Sequence, residues 1–427
     1  MELILGAARR KPRRTVLSTA IAYTNSNDAL NNVFECPLEP PVAPDRAQSF
    51  RYRELDSLRG LAALVVVVYH FRMMWAGSLA WYGWHKWVNL SVLLLASGPE
   101  SVILFFLLSA FVLSLPYLKG NGPTYPAFIS RRVLRIYGPY LFALALAVAG
   151  NAVWHGPLGN GAWASHTWSQ PLYWRIIWQH ILFLGLNDVE WPQLNTAFWS
   201  LVIEMRVSIL FPMLVIGVLY LSDRLALLIA VIMFAVPAML FHANPLWVST
   251  QLTLQVVGVF VIGILLAKNI TQFTGWIAAQ TTSTKFLFFG VSYTLFALGD
   301  RIANSTLIPW GGGIALNTLG SVGLIVLSLG LRPVSNVLQT PVPLFLGRIS
   351  YSLYLVHGTV LFALTYWLQG RLSTVAQFCV FLFTSLVSAT IFCITVEEPL
   401  VRLSRRLGAR VSGQRRADNP LIGDSNG

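Results

Sequence analysis

Ten runs of apolar residues separated by short polar stretches organise this chain, at 57–75, 99–118, 136–154, 197–221, 224–242, 250–267, 285–299, 312–331, 349–368 and 374–396. Most fall in the range of about 17 to 25 residues that a helix needs to cross a hydrocarbon core about 30 Å thick. The seventh is short and is expected to extend into its flanks. A further stretch, 173–186, is shorter still and flanked by Trp, so it reads as interfacial or re-entrant rather than spanning. The pattern predicts an all-α polytopic membrane bundle of about ten transmembrane helices. No long hydrophilic domain interrupts it, which leaves the bundle and its loops to do whatever the protein does.

Polar positions set the expected orientation. Arg9, Arg10, Lys11, Arg13 and Arg14 crowd one end of the chain, and Arg402, Arg405, Arg406, Arg410, Arg415 and Arg416 the other. With an even number of spans, basic clusters at both ends place both termini in the cytoplasm. The loops follow the same bias. Lys119, Arg131, Arg132, Arg135, Arg224, Lys268, Lys285, Arg332 and Arg348 fall on the expected cytoplasmic side, against Arg72, Lys86, Arg175, Arg301 and Arg371 outside. The longest external stretch, about 155–196, holds His155, His166, Asp188 and Glu190 among its tryptophans. Residues 1–53 read as a basic, disordered cytoplasmic tail, 54–407 as the membrane domain and 408–427 as a short cytoplasmic tail. The apolar stretch Thr15 to Tyr23 is too short and interrupted for a signal peptide. The expected location is the plasma or inner membrane.

Composition agrees and removes rivals. The chain is 55% hydrophobic and 11% charged, whereas soluble domains carry about 25% charged residues. Its 15 Trp and 14 Tyr suit two interfacial belts. The net charge of +13 gathers at the ends of the spans, where it anchors the bundle and attracts anionic lipid headgroups, so nucleic acid is not an expected partner. Cys36, Cys379 and Cys393 lack metal-ligand spacing, and no metal site is expected.

Ionisable residues inside a span are costly, and each is a functional hypothesis. Arg59 stands at the mouth of the first span, and His70, eleven residues on, lies about 16 Å deeper on an ideal helix. A neutral imidazole there serves as a general base or as a packing hydrogen-bond partner. Glu204 in Trp199-Ser200-Leu201-Val202-Ile203-Glu204-Met205-Arg206 could orient an imidazole or pair with Arg206 or a neighbouring helix. Arg132 and Arg135 share a helix face, as bidentate phosphate ligands or as positive-inside anchors. Ser350, Leu353, Tyr354 and His357 form one stripe on the ninth span, either substrate contacts or interhelical ties.

At these residues the chain resembles the acyltransferase-3 family of membrane-bound O-acyltransferases. The segment Glu54 to His70 resembles its opening, with an Arg, ten residues and a His in the first span. Phe105-Phe106-Leu107-Leu108-Ser109-Ala110-Phe111, Arg132 to Arg135, Trp199-Ser200-Leu201 with Glu204, Ser350 to His357, and Val396-Glu397-Glu398-Pro399 resemble the later motifs in order. The resemblance runs from about Glu54 to Leu407. Two positions depart from it: Ala110 stands where Gly is usual, and Val207-Ser208 where an aromatic pair is frequent.

The resemblance implies transfer of an acyl group, usually acetyl, from cytoplasmic acyl-CoA to a hydroxyl of a cell-surface carbohydrate. No permanently bound cofactor is implied; acyl-CoA is a donor substrate. His70 is then the expected base, or an acyl-histidine nucleophile, with Glu204 stabilising its imidazolium. Arg59, Arg132 and Arg135 are expected to hold donor phosphates, and Trp199, Ser200, Ser350, Tyr351 and His357 to line the substrate path. Some members carry a fused hydrolase-like domain. Here about 20 residues follow Leu407, so transfer is expected within the bundle or through separate polysaccharide-synthesis machinery. A ten-helix transporter of a small solute is the alternative from another class, although the two halves show no repeat. An acyltransferase acting on a small glycosylated metabolite is the alternative within the same class.

Overall fold

A computed structural model of the protein describes residues 52–75, 97–156, 168, 172–182, 194–241, 248–305, 312–368 and 370–417. The basic N-terminal cluster, Cys36, Lys86, His166, Asp188 and Glu190 lie outside the described residues, as does nearly all of the expected N-terminal tail. The described residues contain helices and no strand, as expected where a backbone in hydrocarbon must satisfy its own N–H and C=O groups.

In chain order the helices are α1 (Arg53–Trp75), α2 (Gly98–Leu118), α3 (Tyr125–Val153), α4 (Trp174–Ile181), α5 (Phe198–Tyr220) and α6 (Asp223–Phe241). Then come α7 (Val248–Ala279), α8 (Thr282–Ser305), α9 (Gly312–Gly330), α10 (Arg332–Leu338), α11 (Pro341–Leu368) and α12 (374–417). All except α4 and α10 are long and apolar enough to cross a membrane, which makes ten among the described residues. The seventh span does extend into its flanks, as Thr282–Ser305. Helix α4 is a two-turn segment that buries Ile176 and His180 and exposes Trp174 and Trp178, in keeping with an interfacial rather than a spanning element. The last helix runs further than the apolar pattern indicated, so the tail expected from 408 begins as helix to Ala417.

Burial separates inner from outer helices. Two thirds of the apolar window of α11 is inside the protein (67%), against 28% for α6, α8 and α12. Helix α1 packs against α11 and α2, and α7 against α2, α5, α6 and α9. Small residues allow the closest approaches. A Cβ on Gly60 would lie 2.3 Å from the Gly347 nitrogen, and one on Gly347 would lie 2.5 Å from the Asp56 carbonyl oxygen, so α1 and α11 cross backbone to backbone. Ala110, one of the two departures, is fully buried against Gly263 of α7, where a second Cβ would come within 2.6 Å of its own. The methyl group gained on α2 is accommodated by glycine on the facing helix.

Two helices contain a π-helical turn, at Val133–Tyr137 in α3 and Cys393–Glu397 in α12. Each has the same local cause. Pro139 and Pro399 have no N–H, and each ring would press on the carbonyl four residues back. The residue before each proline, Gly138 or Glu398, donates instead to the carbonyl five residues back, Val133 or Cys393, and the wide turn relieves the clash.

Candidate active site

The Gly60–Gly347 crossing sets the register for what lies above it. Helices α1 and α11 run in the same direction, and ten residues beyond each glycine (60 to 70, 347 to 357) stands a histidine. About 15 Å along both helices, the two rings meet. His357 Nε2 is 3.0 Å from His70 Nδ1, and the ring centroids are 5.1 Å apart. His357 is completely buried, and its Nδ1 lies 3.0 Å from the Leu353 carbonyl oxygen. One turn below, the Tyr354 hydroxyl is 2.6 Å from the Ser200 hydroxyl of α5, and the Tyr354 ring meets Phe105 of α2 edge-on. The pair therefore sits where α1, α2, α5 and α11 converge.

A charged layer lies nearer the end where α1 and α11 begin. Arg132 of α3, only 6% exposed, donates Nη2 to Glu204 Oε1 at 2.7 Å and Nη2 and Nε to Ser208 Oγ at 2.8 and 3.2 Å. Ser109 donates to the same carboxylate oxygen at 3.0 Å. Arg59 donates Nη2 to the Leu108 carbonyl at 3.1 Å and approaches Asp56 at 3.4 Å. Arg135, inside the first π turn, is exposed and makes no hydrogen bond or ion pair among the described residues, although Arg59, Arg132, Glu397 and Tyr351 are all within electrostatic range of it. Adjacent residues of α11 tie the two π turns together. Tyr351 donates to the Ile136 carbonyl at 2.7 Å, and Ser352 to Glu397 Oε2 at 2.5 Å. Such bulges recur at functional sites because they turn side chains out of helical register.

Several residues singled out by sequence occupy places other than those expected. Arg59 lies six residues, about 9 Å, from the start of α1, which begins at Arg53, ahead of the apolar run. Glu204, expected to orient the His70 ring, accepts from Arg132 and Ser109, and the ring that His70 meets is His357. The reason is electrostatic: in a weakly screened interior a carboxylate takes the nearest cation, and α3 delivers Arg132 to it. Arg206, a candidate partner for Glu204, donates instead to Ser249 and Thr253 of α7. Ser200 bonds Tyr354 and the Ala197 carbonyl, and Ser350 bonds the Gly347 carbonyl of its own helix. Trp199 is half-buried against the core.

Other contributors were not legible as such. Ser208, the second departure, supplies the acceptor for Arg132; it lies one turn from Glu204, a spacing that signals a shared face. Asn195 closes the start of α5 by accepting from the Ala197 N–H, and it clamps α11 by donating to the Leu355 carbonyl at 2.9 Å. Asn just ahead of an apolar run is a helix-start signal. Among the described residues no group of His, Cys, Asp and Glu is arranged to hold a metal ion.

The model of an acyltransferase domain, that of the acyltransferase-3 family, matches residues 52–394. An O-acetyltransferase of Phomopsis amygdali is 26% identical over 380 residues, covering 74% of this chain and 73% of that protein. A Staphylococcus aureus (strain COL) protein that carries the provisional name O-acetyltransferase is 22% identical over 356 residues. That match covers 76% of this chain but 53% of the staphylococcal protein, about half its length. No solved structure matches the chain significantly.

Proposed function

From the premise that this chain belongs to the acyltransferase-3 family, as a multi-pass membrane O-acyltransferase, we propose that it moves an acetyl group from acetyl-CoA in the cytoplasm to a hydroxyl of a cell-surface carbohydrate. The observation that carries the reading is the histidine pair buried at the meeting of α1, α2, α5 and α11, with a guanidinium layer beneath it. Phosphates of the donor are assigned to Arg135 and Arg59. Arg135 has no ion pair among the described residues, and the planar fork of arginine matches phosphate oxygens. Arg132, an expected donor ligand, is given a different role, because its fork is already taken by Glu204 and Ser208.

In the proposed reaction His70 removes the proton of the acceptor hydroxyl as its oxygen attacks the thioester carbonyl carbon. The C–O bond forms, the C–S bond breaks, and the departing thiolate takes the proton back from the imidazolium, so the products are the ester and free CoA thiol. Glu204 acts at one remove, holding Arg132 and through it the packing of α3 against α5. Tyr354 and Ser200 form the polar floor beneath the ring pair, and Tyr351 holds the first π turn through the Ile136 carbonyl. The carbohydrate acceptor is supported by the family resemblance, and acetyl as the acyl group by the names of the relatives.

The test is transfer of radiolabel from acetyl-CoA in membranes containing the protein, with glycan and small-molecule fractions separated afterwards. Label in a glycan fraction, lost in His70→Ala by about 10²-fold or more at unchanged protein abundance, is the expected result. Label confined to a small glycosylated metabolite would replace the acceptor and keep the chemistry. Undiminished transfer by His70→Ala would remove the proposed base.

A further inference from the structure

We propose that His357 is a positioning residue that holds the proton of neutral His70 on Nδ1, presents Nε2 as the reacting nitrogen, and shares the positive charge when His70 is protonated. The proposal rests on the assignment of His70 as the base. It starts from an acceptor that has no proton to give. The Leu353 carbonyl, 3.0 Å from His357 Nδ1, can only accept, so Nδ1 of neutral His357 carries its hydrogen. Nε2 of the same ring is then a lone pair, and His70 Nδ1, 3.0 Å away, must be the donor to it. A neutral imidazole has one N–H, and that leaves Nε2 of His70 as the basic nitrogen.

His357 stands on the facing helix, so its contact with Nδ1 fixes the His70 ring against α11. When Nε2 takes a proton from the acceptor hydroxyl, Nδ1–H···Nε2 becomes a hydrogen bond from a cation and strengthens. That gain exists in the charged state alone, as catalysis requires. His357 therefore occupies the place that the carboxylate fills in a Ser-His-Asp triad, but as a neutral group. A neutral partner suits a site enclosed by apolar helices, where a second buried charge would be costly.

The experiment compares His357→Leu and His357→Gln with wild type, using steady-state acetyl transfer and solid-state NMR of protein labelled with ¹⁵N-histidine in bilayers. Only seven histidines contribute to the spectrum. Wild type should show His70 with Nδ1 protonated and Nε2 bare. His357→Leu should lower kcat about ten- to hundredfold, the worth of a hydrogen bond to a charged group, with both KM values nearly unchanged. The glutamine Oε1 can accept from Nδ1–H, so His357→Gln should recover most of the loss. A rise confined to the acceptor KM would make His357 a substrate contact and overturn the proposal. So would a wild-type spectrum with His70 protonated on Nε2, or an unchanged kcat in a folded His357→Leu protein. If that variant does not fold, the wild-type spectrum and His357→Gln still decide. If His70 is not the base at all, His70→Ala stays active while the His70 resonances still respond to His357, which separates the two failures.

Discussion

Arg132 and Arg135 lie three residues apart on one helix, and their surroundings give them different work. Arg132 is enclosed and bonded to Glu204 and Ser208, whereas Arg135 is exposed within the π turn. Arg135→Gln should therefore raise the apparent KM for acetyl-CoA about tenfold, as expected for one charge-assisted phosphate contact, with an unchanged melting temperature. Arg132→Gln should instead lower the melting temperature and the amount of folded protein. Glu204→Gln belongs with Arg132. It leaves the guanidinium short of its counter-charge, and losing one partner of a fully buried pair costs about 3–5 kcal/mol. The cost here is smaller, because Glu204 keeps 20% of its side chain exposed. Thermal melting and specific activity measured on one detergent preparation check this: earlier melting with modest loss of activity per folded molecule is the expected outcome. A stable but inactive Glu204→Gln protein would return the carboxylate to the chemistry. The motif itself could not separate these cases, since a guanidinium reads the same in sequence whether a carboxylate or a phosphate will face it.

Among the elements, the crossing of α1 and α11 does most to build the site. Gly60 and Gly347 bring the two backbones into contact, and the equal ten-residue rise above them makes His70 and His357 meet. Gly60→Ala puts a methyl group against backbone atoms of Gly347 and Leu346 at 2.3 and 2.4 Å, with no flexible side chain to yield. The helices must part, and overpacking of this kind costs about 1–3 kcal/mol. Loss of most acetyl transfer at retained membrane insertion is expected. A disulfide-trapping experiment with cysteines placed near the histidines would register the wider spacing. Wild-type activity in Gly60→Ala would show that the crossing can move without disturbing the rings. The π turns were hidden for a different reason. An apolar pattern locates a span, and a proline marks where it is perturbed, but how the perturbation is absorbed depends on neighbours such as Tyr351, whose hydroxyl donates to the Ile136 carbonyl.

For the whole molecule, pairing directions place Arg59, Arg132, Arg135, Arg348 and Glu397 toward the end of the bundle where α1 and α11 begin. We propose that this end faces the cytoplasm, as the positive-inside bias predicts, and meets the acyl donor there. Single cysteines introduced into a cysteine-free protein at Gly122 and at Gly370, in the turns on opposite ends of the bundle, test this. An impermeant maleimide added to intact cells should label the Gly370 position and spare Gly122. The reverse labelling would place the guanidinium layer outside and sever it from a cytoplasmic donor. Reporters fused to the two termini should report the same side, as an even number of spans requires.

All-α architecture, ten spans among the described residues and a short non-spanning helix between the third and fourth of them could be read from the order of residues, because each depends on length and polarity summed over a window, and hydrocarbon admits few alternatives. Family membership was legible for a similar reason, since six short motifs in a fixed order survive as local strings. What was not legible was who faces whom. His70 and His357 are 287 residues apart, and Arg132 and Glu204 are 72 apart. Their pairing depends on which helices touch, at what register, and on glycines whose importance lies in the atoms they leave out. A stripe on one helix names the residues available to a partner, and only the packing of α1, α3, α5 and α11 decides which of them become a proton-handling pair and which become ties.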